Sequence, residues 1–255
     1  EEARAHVEAV KQLADDATLS ARQRAARERA AKEREARLTA ALAELPKLRE
    51  DQERLKDPKK RLTGAGGAKE PRASMTDADA RIMKMPDNGF RPAYNVQLAA
   101  DTESRAIVGV DVTPARSDHR EGEPMRQQVE ERSGAKVQEH LVDGGYVQLD
   151  SIERAETSGT KMYAPPPNSR KSAKAYEPKR NDGPGVAAWR QRMGREEAKP
   201  IYSQRASTSE TVNADLRTFR GLSKFVVRGL KKVKCQALWS ALAYNLMHFA
   251  TVLIT

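Results

Sequence analysis

The chain has 255 residues, with 46 Lys and Arg against 36 Asp and Glu and a formal net charge of +10. That length allows one large domain or two small ones, and the basic excess favours a polyanionic partner, because each neutralised phosphate releases counterions. The single cysteine, Cys235, excludes a disulfide framework and a Cys-rich zinc site, and its apolar neighbours predict a buried structural thiol in a reducing cytoplasm.

Residues 1–56 are dominated by Ala, Glu, Arg, Lys and Leu and read as a charged helical hairpin. Val7, Val10 and Leu13/Ala14 form a short apolar stripe, and DDATLS interrupts it. Ser20 with Gln23 predicts a capping box for a second, longer helix. Ala41, Leu45, Leu48 and Leu55 then recur at a/d-like spacing, with Pro46 expected to kink or split the helix. The arm reads equally as a DNA-clamping or dimerising element and as a solvated spacer. Because the chain opens on Glu1 inside a helical pattern, a fragment whose natural beginning lies upstream is expected.

Residues 57–77, rich in Gly, Pro and Lys, read as a linker. Pro92 to Ala100 and Arg105 to Thr113 read as two strands of an antiparallel hairpin that turns at Asp101 to Ser104. Glu123 to Arg132 reads as a helix with Pro124 in its first turn. Val137 to Val142 is a short strand that ends in Asp143-Gly144-Gly145-Tyr146. A helix at Leu149 to Thr157 and a strand at Lys161 to Ala164 follow. This order predicts an α/β fold with one mixed sheet, in which the strands on either side of the first crossover helix are parallel. An acid at the carboxyl end of a sheet strand, followed by two glycines, is a good place for a site, although an aspartate capping a turn has the same appearance.

Residues 168–200 are polar, irregular and basic, suited to lying along a phosphate backbone, with Trp189 available for base stacking or for packing. A helix is predicted from Ile201 to Phe219, ended by Gly221. At about 100° per residue, Tyr202, Ala206, Glu210, Asn213 and Arg217 share one arc, while Val212, Leu216 and Phe219 lie beside Arg205 as an anchoring face. Such a helix can aim Glu210 at a metal and a phosphate, or simply present a solvated face. Arg220, Lys224, Arg228, Lys231, Lys232 and Lys234 follow with no acid among them. The apolar stretch from Cys235 to Thr255 carries Gln236, Ser240, Asn245 and His248, which argues for a buried closing helix and against a membrane span.

In this order, TDADARIMK, GFRPAYNVQLAAD, the VT...SD turn, LVDGGY, the helix with Tyr202, Arg205, Glu210 and Arg217, VVRGLKKV and ALAYNLMHF resemble the carboxyl-terminal catalytic part of bacterial insertion-sequence transposases of the DDE type. The resemblance covers the chain after the linker. It implies an RNase H-like mixed sheet flanked by helices over residues 78–255, with the helical arm as an insertion ahead of it. It assigns Asp143 as the second catalytic acid and Glu210 as the third, both as metal ligands. The first acid would sit on a strand upstream of Glu1, so that the sheet lacks its first strand, and Asp77 and Asp79 are then structural.

Phosphodiester cleavage and strand transfer suit two Mg²⁺ (or Mn²⁺) ions about 4 Å apart, held by hard carboxylate oxygens. Tyr202, Arg205, Arg217, Arg220, Lys224, Arg228, Lys231 and Lys232 are then the expected DNA contacts. The expected partners are double-stranded DNA, as transposon ends and target, and a second copy of the chain in a synaptic complex. No membrane is involved, and the expected location is the bacterial cytoplasm with the nucleoid. Two other readings remain: a non-catalytic basic DNA-binding remnant, and another RNase H-like nuclease such as a resolvase.

Overall fold

Ser20 and Gln23 start the longest helix by exchanging hydrogen bonds. The Gln23 N–H donates to Ser20 Oγ at 3.3 Å, and the Ser20 N–H donates to Gln23 Oε1 at 3.0 Å. This is the predicted capping box, and it satisfies two of the N–H groups that a helix start leaves open. The computed structural model describes residues 5, 8, 9, 11, 12, 19–54, 70–85 and 87–250, and these fall into two units, Glu1–Tyr94 and Asn95–Thr255.

In the first unit, helix α1 runs unbroken over Ala21–Arg54 with Pro46 inside it. The expected split does not occur: Pro46 is exposed, so water can satisfy the carbonyl left open by its missing N–H. Ala41 and Leu48 are buried and Leu45 half-buried, as the seam predicts. Val7, Val10, Leu13, Ala14, Leu55 and residues 57–69 of the predicted linker lie outside the described residues. Strand β1 (Arg81–Lys84) pairs antiparallel with β2 (Phe90–Ala93). Alternation did not reveal β1, because RIMK is four residues long with a cation at each end. Arg81 donates to Glu44 Oε2 at 2.7 Å and to the carbonyls of Ala78 and Asp79, which ties β1 to α1. The Tyr94 hydroxyl donates to Asp77 Oδ1 at 2.8 Å, a structural task for that acid.

The second unit begins with the predicted hairpin. Strand β3 (Asn95–Ala100) pairs antiparallel with β4 (Ile107–Thr113), from Asn95 opposite Thr113 to Ala100 opposite Ile107. The predicted Pro92–Ala100 strand is broken at Tyr94, so its two halves serve different ladders. Helix α2 (Gly122–Ser133) lies close against β4 at Gly109, where an added Cβ would stand 2.5 Å from Met125 Sδ. Strand β5 (Glu139–Leu141) pairs in parallel with β6 (Lys161–Tyr163) through the crossover helix α3 (Leu149–Thr157).

The described strands therefore form three two-stranded ladders and not one mixed sheet, and β4 and β5 do not pair. Each inner strand has a single partner, and the three residues of β5 offer few backbone bonds for a second one. The class is mixed α/β, as expected.

Val142, Val147, Ile152, Ala155, Met162, Ala164, Val186 and Trp189 form one core cluster, closed by helix α4 (Pro184–Met193). Trp189 is fully buried and its Nε1–H donates to the Ala164 carbonyl at 3.2 Å, so it packs and does not stack on a base. Glu153 of α3 caps α4 by accepting the N–H groups of Gly185 and Val186 at 3.1 and 2.8 Å. Helix α5 (Ala198–Phe219) packs against β3 and β6 and buries Ala198, Thr208, Val212 and Leu216. Phe219, expected on that anchoring face, is 72% exposed because the helix ends there and Gly221, at φ 71°, turns the chain away.

Helix α6 (Leu230–His248) lies on β4 through Val233, Ala237, Ala241 and Tyr244. Cys235 falls on its outer side with Trp239 and Leu242 and is exposed, not buried as expected. The polar residues in this apolar stretch form a clasp. The Ile107 N–H donates to Asn245 Oδ1 at 2.9 Å, and Asn245 Nδ2 donates to the Ile107 carbonyl at 2.8 Å. His248 Nε2 sits 2.9 Å from the Ser104 carbonyl. No helix among the described residues is long and apolar enough to cross a membrane. Asn245→Leu leaves both polar groups of Ile107 unpaired, and it is expected to lower the stability of the second unit by about 2–4 kcal/mol in denaturant unfolding, against under 1 kcal/mol for the exposed Leu246→Ala.

Candidate active site

Asp143 follows the short strand β5 and caps the single 3₁₀ turn Gly144–Tyr146, its Oδ1 accepting the Gly145 N–H at 2.7 Å. Its other carboxylate oxygen has no hydrogen-bond partner among the described residues and is left open to a ligand. A Cβ added to Gly145 would meet Asp143 Oδ1 at 2.9 Å and Asp118 Oδ2 at 4.0 Å. Two carboxylates thus border one glycine, and the absence of a side chain there lets them do so.

Asp118 is the acid of the VT...SD motif. It lies in the loop after β4, where its Oδ1 accepts Asn95 Nδ2 and Gln97 Nε2, each at 2.7 Å. Asn95 and Gln97 are two residues apart on β3 and share one face, so a strand of period two points both amides at one acid. The Tyr146 hydroxyl donates to Gln97 Oε1. Burial raises the Tyr146 phenol well above its ordinary value, and the charges of Asp118 and Asp143 push it further. Burial also raises the half-buried Glu121 carboxyl, with Asp111 and Asp118 adding like charge. Asp111, Asp118, Glu121 and Asp143 therefore make this edge of the unit acidic, partly relieved by Lys234, whose Nζ is 2.6 Å from Asp111 Oδ1.

Helix α5 supplies one cation, Arg205, and the loop after β6 a second, Arg170. Burial raises the Tyr202 phenol, Arg205 opposes that rise, and the Asp143 carboxylate adds to it, with Arg170 opposing as well. Asp143, Tyr202, Arg205 and Arg170 thus share one electrostatic neighbourhood. Arg205 lies 5.8 Å from the Tyr202 ring centroid, and its buried Nε has no hydrogen-bond partner. It sits at the middle of the packed face of α5, not merely beside it.

Glu210 is exposed on the opposite side. It stands about 12 Å along the helix axis from Tyr202, at 1.5 Å per residue. Arg217 is exposed as well, and Arg220 is engaged with Asp215 at 3.0 Å. Lys224, Arg228, Lys231 and Lys232 are exposed and free to meet a polyanion. The described residues contain no group of three or more His, Cys, Asp or Glu able to hold a metal ion. Asp143 and Asp118 nonetheless present hard oxygen donors at one glycine, the kind of donor that divalent cations take.

An acid-bordered turn after a short strand thus stands near Tyr202 and Arg205 of a packed helix on a mixed α/β unit. Residues 70–246 match the family model described as Transposase DDE domain. The chain therefore belongs to that family, which implies a DNA-cutting enzyme of transposition. The comparisons with curated proteins and with solved structures each gave no match.

Gly145→Ala displaces the Asp143 carboxylate while leaving the exposed turn able to form. In the full-length protein it is expected to lower DNA-end cleavage at least tenfold with little change in thermal midpoint, measured by single-turnover cleavage beside differential scanning calorimetry.

Proposed function

We propose that this chain carries the catalytic centre of an insertion-sequence transposase with an RNase H-like fold, cutting and joining DNA at the element's ends with Asp143 and Glu210 as two of its three catalytic acids. The observation that carries the reading is the Asp143 turn, where one carboxylate oxygen is fixed by Gly145 and the other is open, with Tyr202 and Arg205 nearby. Asp143 and Glu210 would hold a divalent cation, Mg²⁺ or Mn²⁺, which would supply charge to stabilise the attacking and leaving oxygens of the phosphodiester.

The chain's own residues do the rest. Asp143 offers a hard, anionic oxygen at the reacting phosphate, and the half-buried Arg205 counters the charge of that phosphate while keeping Tyr202 in place. Exposed Arg217, Lys224, Arg228, Lys231 and Lys232, with Arg220 released from Asp215, carry the duplex by contacts to successive phosphates. Glu210, exposed on α5, is the further acid of this reading and is free to meet a cation from the solvent side of the helix. The first acid of the three is expected from a strand outside the three described ladders. Two ends synapse on a homodimer.

The exposure of Glu210, and the lack of a three-acid group among the described residues, favour a second reading, in which the chain binds DNA through its basic surface alone.

Cleavage of a labelled end fragment by full-length protein separates the two. Asp143→Asn and Glu210→Gln are each expected to reduce cleavage at least a thousandfold and to leave binding in EDTA within about twofold. Unchanged cleavage in both variants rules out the acid assignment. A wild type that binds the fragment but never cuts it, with any divalent cation, supports the binding-only reading.

A further inference from the structure

Gln97 is a glutamine at the centre of a strand, 3% exposed, in a place where an aliphatic side chain would pack without polar demands. Both ends of its amide are committed. Nε2 donates to Asp118 Oδ1 at 2.7 Å and to Asn95 Oδ1 at 2.9 Å, and Oε1 accepts the Tyr146 hydroxyl. A flipped amide would set its carbonyl against the Asp118 carboxylate and leave the Tyr146 proton facing an NH₂ group, so the orientation is unique. Tyr146 is the last residue of the turn that Asp143 caps, and the middle residue of that turn holds Asp143 Oδ1. One unbroken set of contacts therefore runs from Asp118 through Gln97 and Tyr146 to the backbone that fixes Asp143. It crosses from the β3–β4 hairpin to the β5–β6 ladder, which share no strand pairing.

We propose that Gln97, acting through the Tyr146 hydroxyl, is a positioning residue that sets the place of the Asp143 turn and holds the Asp118 carboxylate beside it, so that the two acids meet a cation together. The proposal rests on the reading of Asp143 as a catalytic acid. Supporting hydrogen bonds around metal-binding carboxylates govern cation affinity by factors of about 10–100. Gln97 is buried and touches neither solvent nor substrate, and Tyr146 keeps its proton as a donor throughout the working pH range.

The test uses full-length protein with Tyr146→Phe, which removes one oxygen and leaves the ring packed. Gln97→Glu keeps the shape of the residue but cannot donate to Asp118, and Gln97→Leu removes the amide. Mn²⁺ binding is followed by titration calorimetry and by the electron paramagnetic resonance signal of free Mn²⁺, with thermal midpoint and end binding in EDTA measured on the same samples.

All three variants are expected to bind Mn²⁺ about tenfold or more weakly. Tyr146→Phe should keep its thermal midpoint and end binding near wild type, and the cation concentration for half-maximal cleavage should rise in parallel. Wild-type Mn²⁺ affinity in Tyr146→Phe and Gln97→Glu, with Asp143→Asn binding weakly, overturns the positioning role and leaves the reading of Asp143 standing. If Asp143→Asn itself binds Mn²⁺ and cleaves as wild type does, the reading of Asp143 fails and the positioning role fails with it.

Discussion

The contact between Tyr146 and Gln97 carries a burden that backbone hydrogen bonds carry in most α/β domains. The hairpin β3–β4 and the parallel pair β5–β6 each satisfy their own backbone, and no described strand joins them. Their alignment is left to side chains and to helix α5, which packs on both β3 and β6. A buried polar bridge is directional where an apolar contact is not, so it can fix the rotation of a short turn relative to a strand. The cost is a glutamine, a tyrosine and an aspartate that all require partners in a partly buried place. Each of them has one.

The same arrangement explains the electrostatics of the site. Four acids on and after β4 and β5 would repel one another if left alone. They are spread among amide donors, a lysine and the cations that accompany Tyr202. Burial raises the Glu121 carboxyl, and the like charges of Asp111 and Asp118 raise it further. A place where negative charge is only partly relieved is suited to take a cation and then a phosphate, in that order. Arg205 lies on the packed face of α5, so its charge is fixed by the fold, whereas Lys224, Arg228, Lys231 and Lys232 are exposed and adapt to the duplex.

Local signals in the sequence were legible where a few adjacent residues decide the outcome. The Ser20 capping box, the β3–β4 hairpin, the helix Leu149–Thr157 and the acid at the end of β5 all stand where the residues pointed. What escaped depends on partners far away in the chain. Strand β1 has no alternation of its own and exists because β2 and Glu44 receive it. Cys235 looked buried because its neighbours are apolar, yet the 3.6-residue period sets it on the outer side of α6, two residues from the packed Val233 and Ala237. Asp118 was visible only as a fragment of a turn motif. The signal that would have found it is the pair Asn95 and Gln97, two amides on one strand face that require an acceptor. Glu210 was placed by its arc on the helix, but an arc fixes direction around the axis and not distance along it.

The Asp143 turn is the proposed place of the cation. Replacing the cation with Fe²⁺ and generating hydroxyl radicals cuts the polypeptide beside the bound ion, and the fragments of the full-length protein can be mapped by mass spectrometry. Cuts within residues 143–146 and next to Asp118, lost in Asp143→Asn, are the predicted result. Cuts confined to α1 or to the exposed face of α5, with residues 143–146 intact, would contradict it.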